Sequence, residues 1–260
     1  MNKRYMFAAP FIIFMLMMVV FPLVLLFWYA FTSDYYGGFT FGNFGAVFGD
    51  GVSMRVLGRS IWIALLATGI TLAIAYPIAY GLTMTGFKKR TTILLLFTLP
   101  MWTNLLLRSI AIRNLYMLLG ISTTGFFPLL ISFVINFLPL AILPLFVVLG
   151  NIDKKHIEAS QDLGAGPLTV FRKTVFPLSI PGLVASFILI FSPIVSTYFL
   201  SHFFGGNDYL MFGWLLNRMF IFGNIGHGAV LSLLLLALVG ISVLVLNRFS
   251  KVGNKRGGLW

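Results

Sequence analysis

Cysteine is absent from the 260 residues, which removes disulfides, thiolate metal sites and cysteine nucleophiles at once. Charge is scarce too: Asp, Glu, Lys and Arg make up 9% of the chain, against roughly a quarter in ordinary globular proteins. That is too little to coat a surface facing water. Acids are the scarcest, 6 against 18 cations. No apolar stretch holds a carboxylate pair for acid–base work, and neither H-E-x-x-H nor G-x-S-x-G occurs. His156, His202 and His227 stand alone, a pattern more often structural than catalytic. No phosphate-binding loop is present, because Gly120 and Gly125 are followed by Phe126-Phe127 in place of Lys-Ser/Thr. These absences exclude an enzyme that acts or hydrolyses nucleotides with its own residues.

What is present is apolar. Aliphatic and aromatic residues supply 59% of the chain, with 28 phenylalanines, and the mean hydropathy is +1.00. Apolar stretches cover residues 6–31, 60–83, 91–107, 126–149, 180–200 and 228–246, each near the ~20 residues that cross ~30 Å of hydrocarbon. Six transmembrane helices are predicted, in an all-α integral membrane protein. The third stretch is short and is predicted to continue toward Tyr116 despite Arg108 and Arg113. The first follows Asn2-Lys3-Arg4 as a signal peptide would. It outruns the roughly 7–15 apolar residues of such a segment and ends in Trp28-Tyr29, so a retained helix is expected.

Cations alternate in density between the stretches. Lys3, Arg4, Lys88, Lys89, Arg90, Lys154, Lys155, Arg172, Lys173, Arg248, Lys251, Lys255 and Arg256 occupy one set of gaps; Arg55, Arg59, Arg108, Arg113 and Arg218 occupy the other. The positive-inside rule then places both termini in the cytoplasm, as an even number of spans also requires. The same placement accounts for the net charge of +12 without a nucleic-acid partner, since the basic residues are dispersed with no recognisable nucleic-acid fold. Pro10, Pro22, Pro77, Pro100, Pro139, Pro144, Pro181 and Pro193 lie in or beside apolar stretches. Kinked helices around a path fit this, and so does the ordinary proline content of membrane helices.

The second, fourth, fifth and sixth stretches contain no Asp, Glu, Lys, Arg or His, so proton or ion coupling has few groups to act through. Sodium held by backbone carbonyls stays compatible with the pattern. An ATP motor, if one drives transport, must be another polypeptide.

The long polar segment is residues 150–179. Asp153 is placed to cap a short helix through Leu163, Gly164-Ala165-Gly166 to break it, and Pro167 to open a second helix. Ile157, Leu163, Leu168, Phe171 and Val175 would set apolar side chains beside charged ones, in a loop too polar to enter the bilayer. Lipid headgroups or a groove on a cytosolic partner could cover them.

Glu158-Ala159-Ser160, Gly164 after three more residues, then Pro177 resemble the EAA loop of ABC importer permeases, E-A-A-x3-G-x9-I-x-L-P. Ser160, Thr174 and Phe176 replace the second Ala, the Ile and the Leu. Leu99-Pro100-Met101-Trp102-Thr103-Asn104 with Arg108, the 158–164 segment and Ser201 to Gly206 resemble the PotB-type permeases of spermidine/putrescine importers, over about residues 60–214. The resemblance implies a type I importer (MetI-like) permease fold, six helices in a single domain over 1–260, with a core of about 60–246 and a coupling loop of about 150–179. It implies a bacterial cytoplasmic membrane location. It also implies a second, PotC-like permease, a cytosolic ATPase dimer that holds the ATP and Mg, and an external substrate-binding protein; this chain binds no cofactor. Glu158, Ala159, Ser160, Asp162, Leu163, Gly164, Ala165 and Leu168 become ATPase-coupling residues. Trp102, Asn104, Arg108, Tyr198, His202 and Asp208 become substrate-path candidates.

A polycation needs acidic or aromatic partners. The outer segments hold three acids, Asp34, Asp50 and Asp208, against five cations, which does not favour one. His202 stands where PotB-type chains commonly carry Asp. Trp102, Tyr198, Phe203, Tyr209 and Trp214 could contribute aromatic contacts or form an interfacial belt. A polyamine is the expected solute; an anion, thiamine, an amino-acid derivative or chelated iron are the alternatives, as is an ATP-independent carrier or channel.

Overall fold

The computed structural model describes residues 10–11, 13–33, 37–84 and 89–256, with side chains through Leu246 and that of Arg248. Lys3, Arg4, Asp34 and Lys88, and the side chains of Lys251, Lys255 and Arg256, lie outside the described residues. Regular structure among the described residues is helical, with one isolated antiparallel bridge between Thr32 and Phe39. The helices are α1 (Ile13–Ala30), α2 (Gly42–Gly49), α3 (Gly51–Met84), α4 (Arg90–Thr98), α5 (Leu105–Leu118), α6 (Phe126–Gly150), α7 (Lys154–Asp162), α8 (Pro167–Ser196), α9 (Phe199–Phe204), α10 (Phe212–Ile221) and α11 (Ile225–Arg256). Of these, α1, α3, α6, α8 and the Ile225–Leu246 part of α11 are long and apolar enough to cross a membrane. Together, α4 and α5 are long and apolar enough for a sixth crossing but are bent by 97° at the break between them, the geometry of a broken span or of a re-entrant loop.

That break corrects the reading of 91–107 as one helix running on toward Tyr116. After a 3-10 turn at Leu99–Trp102 the chain turns by 97° before α5 begins. The cause is local. Thr103 is extended, at ψ 151°, and the Asn104 side chain accepts the Leu106 amide at 2.8 Å, so that a new helix starts there. The carbonyl of Pro100 at the break is not left bare: Thr103 Oγ1 donates to it at 2.7 Å and Arg108 Nη1 at 2.8 Å. Pro77, Pro139, Pro144, Pro181 and Pro193 lie inside α3, α6 and α8, whose helices continue through them.

By contacts the chain divides into two units: 1–57 with 215–238, and 58–214 with 239–260. In the first, the buried Asn43 Nδ2 donates to the carbonyls of Tyr29, Ala30 and Thr32, satisfying the end of α1. Asp50 starts α3 by accepting the Val52 and Ser53 amides and the Ser53 hydroxyl. These bonds hold its carboxyl below the ordinary value, Ser53 contributing most.

In the second unit α6 packs along α8. Leu129, Phe133, Ile142, Leu145, Ile190 and Ile194 are fully buried, and Ser186 Oγ donates across the pair to the Ala141 carbonyl at 2.8 Å. The fifth stretch was expected to reach residue 200. Its helix ends at Ser196, because Thr197 turns extended (ψ 131°), and α9 follows as a separate short helix. Tyr116 and Phe204 bring α9 against α5 (5.9 Å between rings), and the Gly125 amide donates to the Phe204 carbonyl at 2.8 Å. Arg59 then clamps the carbonyls of Asp208 and Leu210, and Ser60 Oγ accepts the Phe212 amide at 2.7 Å. Where the chain returns, a Cβ on Gly213 would lie 2.0 Å from the Ser196 carbonyl oxygen, so only glycine fits. The segment 197–213 is thereby tied into a compact cap.

Candidate functional site

The polar segment after α6 folds as a hairpin. Asp153 Oδ1 accepts the Lys155 amide at 3.0 Å and starts α7. At its end the Leu163, Gly164 and Ala165 amides donate to the Ala159, Gln161 and Ser160 carbonyls, closing the orphan carbonyls of the last turn. Gly164 sits at φ +79°, with nothing within 4 Å of a Cβ built on it. Its requirement for glycine is therefore conformational. Pro167 then occupies the first turn of α8, as expected.

The second helix of the hairpin does not stop before the membrane. A single π-helical turn at Phe171–Val175 joins its first turn to the rest of α8, so the hairpin's second arm is the start of a span. This corrects the expectation that five apolar residues need an outside partner. Val175 is 1% exposed, Ile157 and Phe171 are half-buried, and only Leu163 (89%) and Leu168 (68%) stand free. Glu158, Ala159, Asp162 and Gly164 are exposed around them, with Ser160 and Ala165 half-buried. Lys154, Lys155, Arg172 and Lys173 are exposed as well, and a depression of about 380 Å³ lies between Leu168, Thr169, Arg172 and Lys173. All eight coupling candidates thus sit on one hairpin, with two exposed leucines, of which Leu168 shares the depression with Arg172 and Lys173.

The path candidates fall into two groups. Trp102, 88% exposed, Asn104 and Arg108 stand at the α4–α5 bend. Asn104 is occupied as the α5 cap, and Arg108 donates from Nε to Asn136 Oδ1 at 2.5 Å and from Nη1 to the Pro100 carbonyl at 2.8 Å. Tyr198 and His202 are exposed on the turn into α9 and on α9 itself. Asp208 is exposed in the loop that Arg59 clamps. Among the described residues no hydrogen bond, ion pair or ring contact joins the two groups.

Two residues of this region escaped the sequence reading. Asn136, 2% exposed at mid-helix in α6, is the sole Asn in the 126–149 run, and that was the signal available for it. Arg113 places its guanidinium 4.8 Å above the Phe203 ring, with its Nε buried and unpartnered. Neither Arg108 nor Arg113 meets a carboxylate among the described residues. No group of three His, Cys, Asp or Glu side chains there could hold a metal.

Comparison with known proteins gives this architecture its place. The family model described as binding-protein-dependent transport system inner membrane component matches residues 72–253. The spermidine/putrescine transport system permease protein PotB of Escherichia coli (strain K12) is 32% identical over 237 residues, 84% of this chain and 85% of that protein. The corresponding PotC of Haemophilus influenzae (strain ATCC 51907 / DSM 11121 / KW20 / Rd) is 27% identical over 192 residues, 72% of this chain and 74% of that one. A chain of the bacterial alginate ABC transporter, solved in complex with alginate pentasaccharide-bound periplasmic protein, has the same fold. Its TM-score is 0.74 at 13% identity, over 95% of this chain and 93% of that one. The chain belongs to the binding-protein-dependent inner membrane components: it is the permease subunit of an ABC importer, resident in the bacterial inner membrane and not itself an enzyme.

Proposed function

We propose that this permease imports a polyamine of the spermidine/putrescine class, handed over by an external binding protein and driven by ATP hydrolysed with Mg on a separate cytosolic ATPase dimer. A second, PotC-like permease completes the pore, and both termini of this chain face the cytoplasm. The observation that carries the coupling is the pair of bare leucines, Leu163 and Leu168, held on a capped hairpin among exposed charges. Apolar side chains left in water on a rigid element are what a docking groove on another protein removes from solvent. Glu158, Ala159, Ser160, Asp162, Gly164 and Ala165 shape the surface around them. The solute class rests on the likeness to the PotB and PotC permeases and on Trp102 and Tyr198, exposed ring faces able to receive an ammonium group.

One observation favours a second reading, in which the solute is an anion. Arg108 and Arg113, at the bend side of the proposed path, are cations with only neutral partners, and Asp208 is the one acid among the path candidates. The two readings separate in one assay. With the assembled importer in proteoliposomes, spermidine-loaded binding protein should accelerate ATP hydrolysis and drive accumulation of spermidine. Acceleration by an anionic solute and none by spermidine or putrescine would reverse the assignment. Accumulation by the purified chain alone, without ATPase, would remove the coupled mechanism altogether.

A further inference from the structure

Both roots of the hairpin rest on the same stretch of α3. At the first root, Gly150 ends α6 beside the Thr83 side chain, 3.7 Å from where its Cβ would be. At the second, the Phe171 ring stands edge-on to both Tyr76 (5.9 Å, 85°) and Tyr80 (5.4 Å, 88°), which lie one turn apart on α3. Phe176 closes the group at 6.0 Å from Tyr76 and 6.3 Å from Phe171. Beneath it the Tyr76 and Ser179 hydroxyls, both buried, lie 2.8 Å apart. Ser179 Oγ already donates to the Phe176 carbonyl, so Tyr76 is the donor of that bond. On the hairpin side, Thr174 Oγ1 reaches Ser160 Oγ at 3.3 Å, joining α7 to the π-helical turn.

We propose that Phe171, gripped by Tyr76 and Tyr80 and seated by the Tyr76–Ser179 hydrogen bond, is the positioning residue through which displacement of the hairpin is passed to α3. The proposal rests on the reading of the hairpin as the ATPase-docking element. The Phe171 ring is held edge-on between the two tyrosines, and sliding it would give up both contacts, so a shift of the π-helical turn carries the tyrosines with it. Pro77, between them, removes one intrahelical hydrogen bond of α3 at the point where such a shift must be absorbed. Coupling between two sites is reciprocal, so the same joint carries the signal of a docked binding protein back to the ATPase.

The test uses the whole importer in proteoliposomes, with a Gln161→Cys permease, at an exposed α7 position outside the proposed coupling residues, made in this cysteine-free background. Two quantities are read: the yield of the crosslink from Cys to a thiol on the ATPase, and the fold stimulation of ATP hydrolysis by the binding protein as purified. In Phe171→Ala the crosslink yield should stay at the level of the parent, while stimulation falls about tenfold, the size expected for two lost ring contacts. Phe171→Tyr should restore it. Tyr76→Phe, which deletes one hydroxyl, should lower stimulation by about threefold, and it decides the matter should Phe171→Ala fail to reach the membrane. Unchanged stimulation in these variants with the crosslink intact would overturn the proposal and leave the docking reading standing. No crosslink in the Gln161→Cys parent would overturn the docking reading itself, and the proposal with it.

Discussion

Gly164 reverses the hairpin with a backbone torsion, φ +79°, that costs an ordinary L-residue about 1–2 kcal/mol. No neighbour crowds its Cβ position, so side-chain volume is not the obstacle. Substitutions should therefore rank by their tolerance of the left-handed region. Gly164→Asn should retain ATP-driven uptake, and Gly164→Val should lose most of it at equal abundance in the membrane, measured with labelled solute. A second residue-scale outcome follows from Asp50. Its folded value lies below the ordinary 3.8, so the start of α3 is stabilised above that pH and the stabilisation fades as pH falls through the folded value. Protection of the Val52 and Ser53 amides, taken relative to their intrinsic exchange rates, should fall as pH drops below the ordinary carboxyl range, and in Asp50→Asn protection should be lower at neutral pH and show no such fall.

The bend between α4 and α5 is braced by Arg108, whose two arms meet Asn136 on α6 and the Pro100 carbonyl. Lysine cannot reach both acceptors at once. Both Arg108→Lys and Arg108→Met should lower the melting temperature in detergent, Met more, by an amount that matches about 1–3 kcal/mol for a buried amide left unpaired. Melting unchanged in Arg108→Met would mean that Asn136 finds another donor. How far the elements were legible varies for physical reasons. The Asp153 cap, the glycine reversal and Pro167 at the head of α8 are local signals, and they formed as read. The break at residue 103 carried its own stop and start, Pro100 and Asn104, but apolar length outweighed them in the sequence reading. The junction of hairpin and span was hidden because Arg172, Lys173 and Thr174 interrupt the apolar run in sequence. Arg172 and Lys173 are exposed and Thr174 is half-buried against Ser160, while Val170, Val175 and Ser179 are buried. The cap over 197–213 depends on Arg59 and Ser60, far back in the chain, and no local pattern reports such a tie.

For the molecule as a whole, the alternation of cations and the helical hairpin make one prediction about sidedness. A thiol at Leu163, the only one in the chain, should be closed to membrane-impermeant maleimide in intact cells and open to it in inverted vesicles. Labelling from outside intact cells would invert the topology and separate the hairpin from any cytosolic partner. Composition announced the solvent and the helical class without ambiguity. The substrate is less visible, because the same few polar side chains, Asn104 and Arg108 among them, already have structural partners, and two exposed aromatic rings do not define a solute.

The single span of α8 from Pro167 to Ser196, with its π-helical turn near the start, has a mechanical corollary. Thirty residues rising about 1.5 Å each span about 45 Å, and each degree of tilt about the hairpin end sweeps the far end through roughly 0.8 Å. On the proposed coupling, an arc of a few degrees at the hairpin is already commensurate with a small molecule's width at the far end, so gating there would demand leverage more than any rearrangement of secondary structure.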